Sequence, residues 1–373
     1  MGSGYYMETF KKIMKIVGKV ILILFFIVIL LCLICFIVNK YKNKKELDIL
    51  EKAGYVNLVS VGEYRLNVQI YGNEDSKHTI VGISGQGTTD FSVSIRNITE
   101  ELSKDNKIAI VDRAGYGLSD DTTISQTIER IIEDYRLSLK NSGCEAPYVL
   151  MAHSLGGVYA TYWQSKYPEE IEAIIYLDPT GLGDISFILE DEDWSPSLSD
   201  GFSALASKIG LTRFYYWINP LKPWGGISED KLEYSKALSF NNSYSFAMYS
   251  EAKEARNNIK KTYDLMKTNN IPKLYIDANL TSKEDVVEYF EYINSIYKSF
   301  GLDEEINLND EEYMNELIPK ILDVSEESYS RFIEPYLDKL ENCTYINIPG
   351  YHHIFLQKPN EIIEVSKKFI NSL

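Results

Sequence analysis

The chain has 373 residues, 45% of them hydrophobic and 25% charged, a balance that excludes disorder, collagen and disulfide-stapled scaffolds. Net charge is −16, yet residues 1–45 hold eight Lys and one Glu, so the rest of the chain carries −23. A body that acidic repels phosphate backbones, which argues against nucleic acid as a partner.

In chain order, residues 1–19 read as a short tail, and residues 20–38 are 19 consecutive apolar residues without a charge. That length suits a helix crossing a hydrocarbon core. The run ends in Asn39-Lys40-Tyr41-Lys42 with no small-residue cleavage pattern, unlike a secretory signal peptide. It also lacks the polar face of a core helix. A retained single-pass anchor is therefore expected, followed by a basic linker over 39–54. Lysines flank the run evenly, so charge does not orient it. The short tail favours an inside N terminus, with the folded body outside.

The body, 55–373, alternates strands and helices. Residues 55–61 and 64–71 predict a hairpin. Compact apolar runs at 78–84, 107–112, 148–152, 171–178, 273–277 and 344–348 predict six further strands. Helical periodicity marks 124–139 and 362–370. Such alternation predicts an α/β fold, a mostly parallel, doubly wound sheet covered by helices on both faces. Two excursions interrupt it. Residues 181–270 hold Trp194, Trp217 and Trp224 and predict a lid, since ligand sites sit at the carboxyl ends of such sheets. Residues 280–342 form a second, acidic and helical insertion. Cys32 and Cys35 lie in the apolar run, and Cys144 and Cys343 precede strands, so no cysteine spacing indicates zinc or a disulfide framework.

Chemistry concentrates in three places. Tyr148-Val-Leu-Met-Ala-His-Ser-Leu-Gly-Gly157 reads as strand, sharp turn, helix, with small Ala152 and Gly156 two residues either side of Ser154. That is the pattern of a nucleophile elbow, which lifts one hydroxyl clear of the sheet. Capping of the helix by Ser154 is the alternative. Serine needs a base. Of the four histidines, His78 begins a strand and His153 sits inside the elbow, which leaves His352 and His353 after the last strand.

Over 55–373 these features resemble the α/β-hydrolase fold superfamily. Ser84-Gly85-Gln86-Gly87 resembles its oxyanion loop, Asp112-Arg-Ala-Gly-Tyr-Gly-Leu-Ser119 its D-x-x-G-x-G-x-S turn, and Gly350-Tyr-His352 with Pro359 its histidine segment. The resemblance implies acyl transfer, with Ser154 as nucleophile, His352 as base and the backbone N–H groups of Gln86 and Leu155 as oxyanion donors. The turn at 112–119 is expected to be structural. The acid is less clear, because the loop after the seventh strand lacks a carboxylate at the family's usual place. Asp178, at the end of the sixth strand, is the expected acid, with Asp277, Glu284 and Asp285 as alternatives.

No phosphate loop and no metal-ligand spacing occur, so neither cofactor nor metal is expected. A dehalogenase of this fold would carry Asp in place of Ser154, whereas a cofactor-free haloperoxidase would keep the triad. The expected activity is a membrane-anchored serine hydrolase acting on an ester, a lipid-derived molecule, a small amide or a peptide. An aminopeptidase could use Glu190, Asp191 and Glu192 to hold an amino terminus, although a solvated face explains them better. A ligand-binding or sensing module without turnover is the alternative from another class. Oligomeric state is not set by the sequence.

Overall fold

Runs rich in Val and Ile, bounded by Gly and polar residues, become the strands of one sheet. The computed structural model describes residues 2–190, 198–218, 226–228, 230–299, 303 and 305–373. Its strands are β1 (Leu58–Ser60), β2 (Arg65–Gly72), β3 (Thr79–Ile83), β4 (Lys107–Asp112), β5 (Tyr148–Ser154), β6 (Ile171–Pro179), β7 (Lys273–Asp277) and β8 (Cys343–Asn347). They are arranged β1-β2-β4-β3-β5-β6-β7-β8. β1 and β2 form the expected hairpin, and β2 also runs antiparallel to β4. From β4 to β8 every neighbouring pair is parallel.

The central strands are apolar on both faces because both are covered. Leu150 and Ala152 of β5 pack with Ile131, Val158 and Trp163, while Val149 and Met151 pack with Ile98, Phe355 and Ile362. The helices used below are α1 (Gly2–Lys52), α2 (Arg96–Leu102), α3 (Ile128–Asn141), α4 (Gly156–Lys166), α5 (Leu198–Lys208), α6 (Leu211–Ile218), α7 (Leu232–Asn241), α8 (Phe246–Leu265), α9 (Lys283–Ser299), α10 (Glu311–Ser328) and α11 (Pro359–Ile370). α3, α4 and α8 cover one face, and α2 and α11 cover the other. The chain leaves β3 toward the α2 face and β5 toward the α4 face, so a crevice opens between those adjacent strands, where α/β sheets bind ligands.

The insertions differ in character. α8 falls within the expected lid, yet its Ala247 and Ile259 belong to the main core. Asn258 bonds Ile128 N at 2.7 Å and Gln126 O at 3.1 Å, so this helix is a wall of the body. α9 and α10 form the expected helical second insertion around their own small core of Val286, Phe290, Met314 and Ile318. The N-terminal tail and the linker expected over 39–54 are turns of α1, which continues to Lys52. Leu50 is buried against Tyr55, Val93, Leu118, Ala237 and Leu238, and this contact holds the helix to the body. The apolar run of α1 remains exposed around its circumference, for example at Ile23, Phe26 and Leu30. Trp194, Trp224, Asp191 and Glu192 lie outside the described residues.

Candidate active site

β5 ends on Ser154 at φ +53°, a left-handed conformation that costs a side-chain-bearing residue roughly 1–3 kcal/mol. Close packing holds it there. A Cβ on Gly156 would meet the carbonyl oxygen of Ile83 at 2.6 Å, and one on Gly85 would meet Ser154 Cβ at 2.8 Å. Bare backbone at these two positions lets the elbow fold against the loop after β3.

Ser154 Oγ lies 3.0 Å from His352 Nε2, and His352 Nδ1 lies 2.5 Å from Asp178 Oδ2. Asp178, the penultimate residue of β6, sits at φ +42°, which turns its carboxylate toward the loop after β8. Its Oδ1 accepts from Ala278 N at 3.1 Å. Burial disfavours a charged His352, but the hydrogen bond and charge of Asp178 outweigh it, so the imidazole pKa rises above its ordinary value.

The alternative acids are placed differently. Asp277, at the end of β7, neighbours Asp178, and its Oδ2 accepts from Tyr345 Oη at 2.8 Å. Burial and then the adjacent Asp178 charge push its pKa to about 7. Glu284 and Asp285 lie in the first turn of α9. There Asp285 Oδ2 caps the helix by accepting from Thr281 N at 2.9 Å and Ser282 N at 2.8 Å. The structure brings neither of them to His352.

Asp277 has a consequence for stability. A carboxyl whose folded pKa lies above its unfolded value of about 4 binds more protons when folded, so its contribution falls as pH rises from about 4 to about 7. Asp277→Asn should flatten that decline, as read from urea midpoints between pH 4 and 8. An unchanged slope would show that Asp277 is ionised throughout.

Leu155 follows the elbow, and Gln86 lies in the loop after β3. Among the described residues neither backbone N–H has an acceptor, whereas Gly87 N–H donates to Tyr116 Oη at 3.1 Å. Two supports escaped sequence reasoning. Arg113, buried in the turn after β4, donates from Nη1 to Ser84 O at 2.7 Å and from Nη2 to Gly85 O at 2.9 Å. Its charge pairs with buried Glu251 of α8 at 3.1 Å. Glu251 Oε1 also accepts from Tyr159 Oη at 2.5 Å. The turn at 112–119 thus braces the loop bearing Gln86. Position 113 within the motif was a usable signal, but nothing local marks Glu251.

His153 is the second support. Its Nε2 donates to the His352 carbonyl at 3.0 Å, which fixes the tautomer. Burial holds its pKa well below the usual imidazole range, so Nδ1 carries no proton. His353 packs 5.1 Å away, centroid to centroid. His78 pairs with Glu172 at 3.0 Å at the opposite, amino end of the strands.

A cavity of about 680 Å³ adjoins His352 and Asp178, lined mainly by Phe187, Ile188, Leu280, Ile321, Val324 and Phe332. Its wall is shared by the start of the first insertion and by the second, from which sequence reasoning had offered only the alternative acids Glu284 and Asp285. A second cavity of about 600 Å³ lies near Tyr148, at the amino end of β5. Its Arg136 pairs with Glu133 and Glu170.

Residues 75–206 match the family described as "Serine aminopeptidase, S33". The uncharacterized protein YbdG of Bacillus subtilis (strain 168) is 34% identical over 277 residues, which are 73% of this chain and 82% of that one. The (lyso)-N-acylphosphatidylethanolamine lipase of Bos taurus is 26% identical over 133 residues, 34% of this chain and 37% of the lipase. Among solved structures, the haloalkane dehalogenase DatA from Agrobacterium tumefaciens C58 superposes with a TM-score of 0.52 at 15% identity, covering 85% of this chain and 96% of its own. Identity that low speaks for the fold alone. With that fold, the S33 match and a relative alike over most of its length, the chain belongs to the α/β-hydrolase superfamily.

Proposed function

We propose that the protein is a membrane-anchored serine hydrolase that cleaves an ester through an acyl-enzyme. The observation that carries this reading is the continuous hydrogen-bond chain Asp178–His352–Ser154, with Ser154 held at positive φ. Ser154 Oγ attacks the ester carbonyl while His352 Nε2 takes its proton. Asp178 holds the imidazole in the required tautomer and stabilises its charged form. The oxyanion lies between the N–H groups of Leu155 and Gln86, each such donor contributing about 10²–10³ in kcat. His352 then returns the proton to the leaving alcohol, and water hydrolyses the acyl-enzyme by the same route.

The apolar cavity beside His352 favours an acyl or alkyl substituent over a charged one. Among its described lining residues the carboxylates are Asp178, engaged with His352, and Asp277, held by Tyr345. Neither of these described carboxylates is free to receive a substrate ammonium, which weighs against an aminopeptidase. Likeness to a lipase of N-acylphosphatidylethanolamines supports a lipid-derived ester. α1 spans the bilayer, with the folded body on the outer side.

Labelling of the full chain by a fluorophosphonate, with Ser154→Ala in parallel, tests the reading. Labelling confined to the wild type is expected. A folded wild type that resists the probe as well as the variant does would favour a binding module without turnover.

A further inference from the structure

Of the aromatic residues that suggested a lid, the described Phe214, Tyr215 and Trp217 are not among the described lining residues of the cavity. Trp217 is 74% exposed, and Phe214, Tyr215 and Ile218 are likewise exposed along α6. Their position relative to α1 explains where they belong. Gly210, at φ +85°, precedes α6, and a Cβ there would meet the Cys35 carbonyl oxygen at 2.7 Å and Asn39 Cβ at 2.6 Å. Cys35 lies three residues inside the apolar run that ends at Val38, roughly 4.5 Å along the helix axis. The first insertion thus touches α1 at the level of its last apolar turn.

One side chain ties α6 to α1. Buried Arg213 donates from Nε to Asn39 Oδ1 at 3.0 Å, from Nη2 to Asn43 Oδ1 at 2.7 Å and from Nη1 to Glu46 Oε1 at 2.7 Å. Its guanidinium also covers the Phe240 ring, 4.5 Å from the centroid. Arg213 is thus committed to α1 and the body, while Phe214, Trp217 and Ile218 of the same helix stay exposed. Phe202 and Leu205 of α5 are also exposed and extend the apolar surface.

We propose that α6 lies in the bilayer interface beside α1, with Phe214, Tyr215, Trp217 and Ile218 immersed among headgroups and upper acyl chains. The occupant is lipid because α6 begins at Gly210, packed against the last turn of the apolar run of α1, itself exposed to its surroundings. Trp and Tyr concentrate at this depth, and interfacial helices bury their apolar face ~5–10 Å into it. The inference rests on α1 spanning the membrane.

The test uses the full chain in phosphatidylcholine vesicles made with and without lipids brominated at the 6,7 positions. Subtracting the emission of Trp217→Phe from that of wild type isolates Trp217. Its emission should fall by about half in brominated vesicles. Arg213→Ala, which frees α6 from α1, should weaken that quenching. Extraction of the chain from vesicles by alkaline carbonate would overturn the anchor and this inference together. A chain that resists extraction but whose Trp217 emission ignores bromine would overturn this inference and leave the anchor standing. Emission that ignores bromine but changes when protein is diluted in the bilayer would assign the patch to contact between copies.

Discussion

Asp178→Asn should lower kcat for an activated ester about 10⁴-fold while leaving the fold intact, because the amide presents the wrong hydrogen-bonding partner to His352 Nδ1. The pH profile should move as well. In the proposed mechanism His352 acts only when neutral, and Asp178 raises its pKa above the ordinary imidazole value. In the wild type, activity should therefore begin to fall, as pH drops, at a pH above that of a free imidazole. Without the carboxylate, the burial that lowers the pKa remains, so the residual activity should persist to lower pH. Near-normal turnover in Asp178→Asn would move the orienting role to Asp277, the next carboxylate along the sheet edge.

The second large effect concerns the buried pair Arg113–Glu251. Removing either partner leaves an uncompensated charge in the core, which costs about 3–5 kcal/mol, readable as a lower denaturation midpoint. Stability by itself would not reveal a role in turnover. Arg113→Met with Glu251→Leu removes both charges, and Tyr159→Phe removes the hydroxyl that would otherwise lose its acceptor. Such a triple variant should recover much of the stability, since apolar replacements of buried ion pairs are often neutral. Its kcat should still fall by about 10²–10³, the effect of one lost oxyanion donor, because the carbonyls of Ser84 and Gly85 lose the guanidinium that fixes the loop bearing Gln86. A stable variant with wild-type kcat would reduce the pair to packing.

What the sequence made legible was local. The strands announced themselves as short apolar runs because both faces of the sheet are covered, as at Val149–Ala152 of β5. Ser154 was legible because its elbow is a run of neighbours in the chain, and His352 because so few histidines compete. The acid resisted. Asp178 and Asp277 end adjacent parallel strands, and the backbone twist at Asp178, φ +42°, selects the one that meets the imidazole. No residue pattern expresses that twist. Arg113 finds Glu251 across 138 positions of chain, and Arg213 finds Glu46 across 167. Pairings at such separations emerge from packing, so the second insertion as cavity wall and the aromatic helix beside α1 were equally hidden.

The unbroken helix from Gly2 to Lys52 has a consequence for encounter kinetics. From Asn39 to Lys52 it extends roughly 20 Å at the rise of an α-helix, and its base is packed into the body. A flexible tether of similar length would let the hydrolase sweep a volume and sample molecules in free solution. With α1 spanning the bilayer as proposed, a rigid post fixes the altitude and tilt of the crevice, so Ser154 would patrol one thin shell parallel to the bilayer. Molecules confined to that shell meet it at a high effective concentration, and those in bulk solvent gain nothing from the attachment.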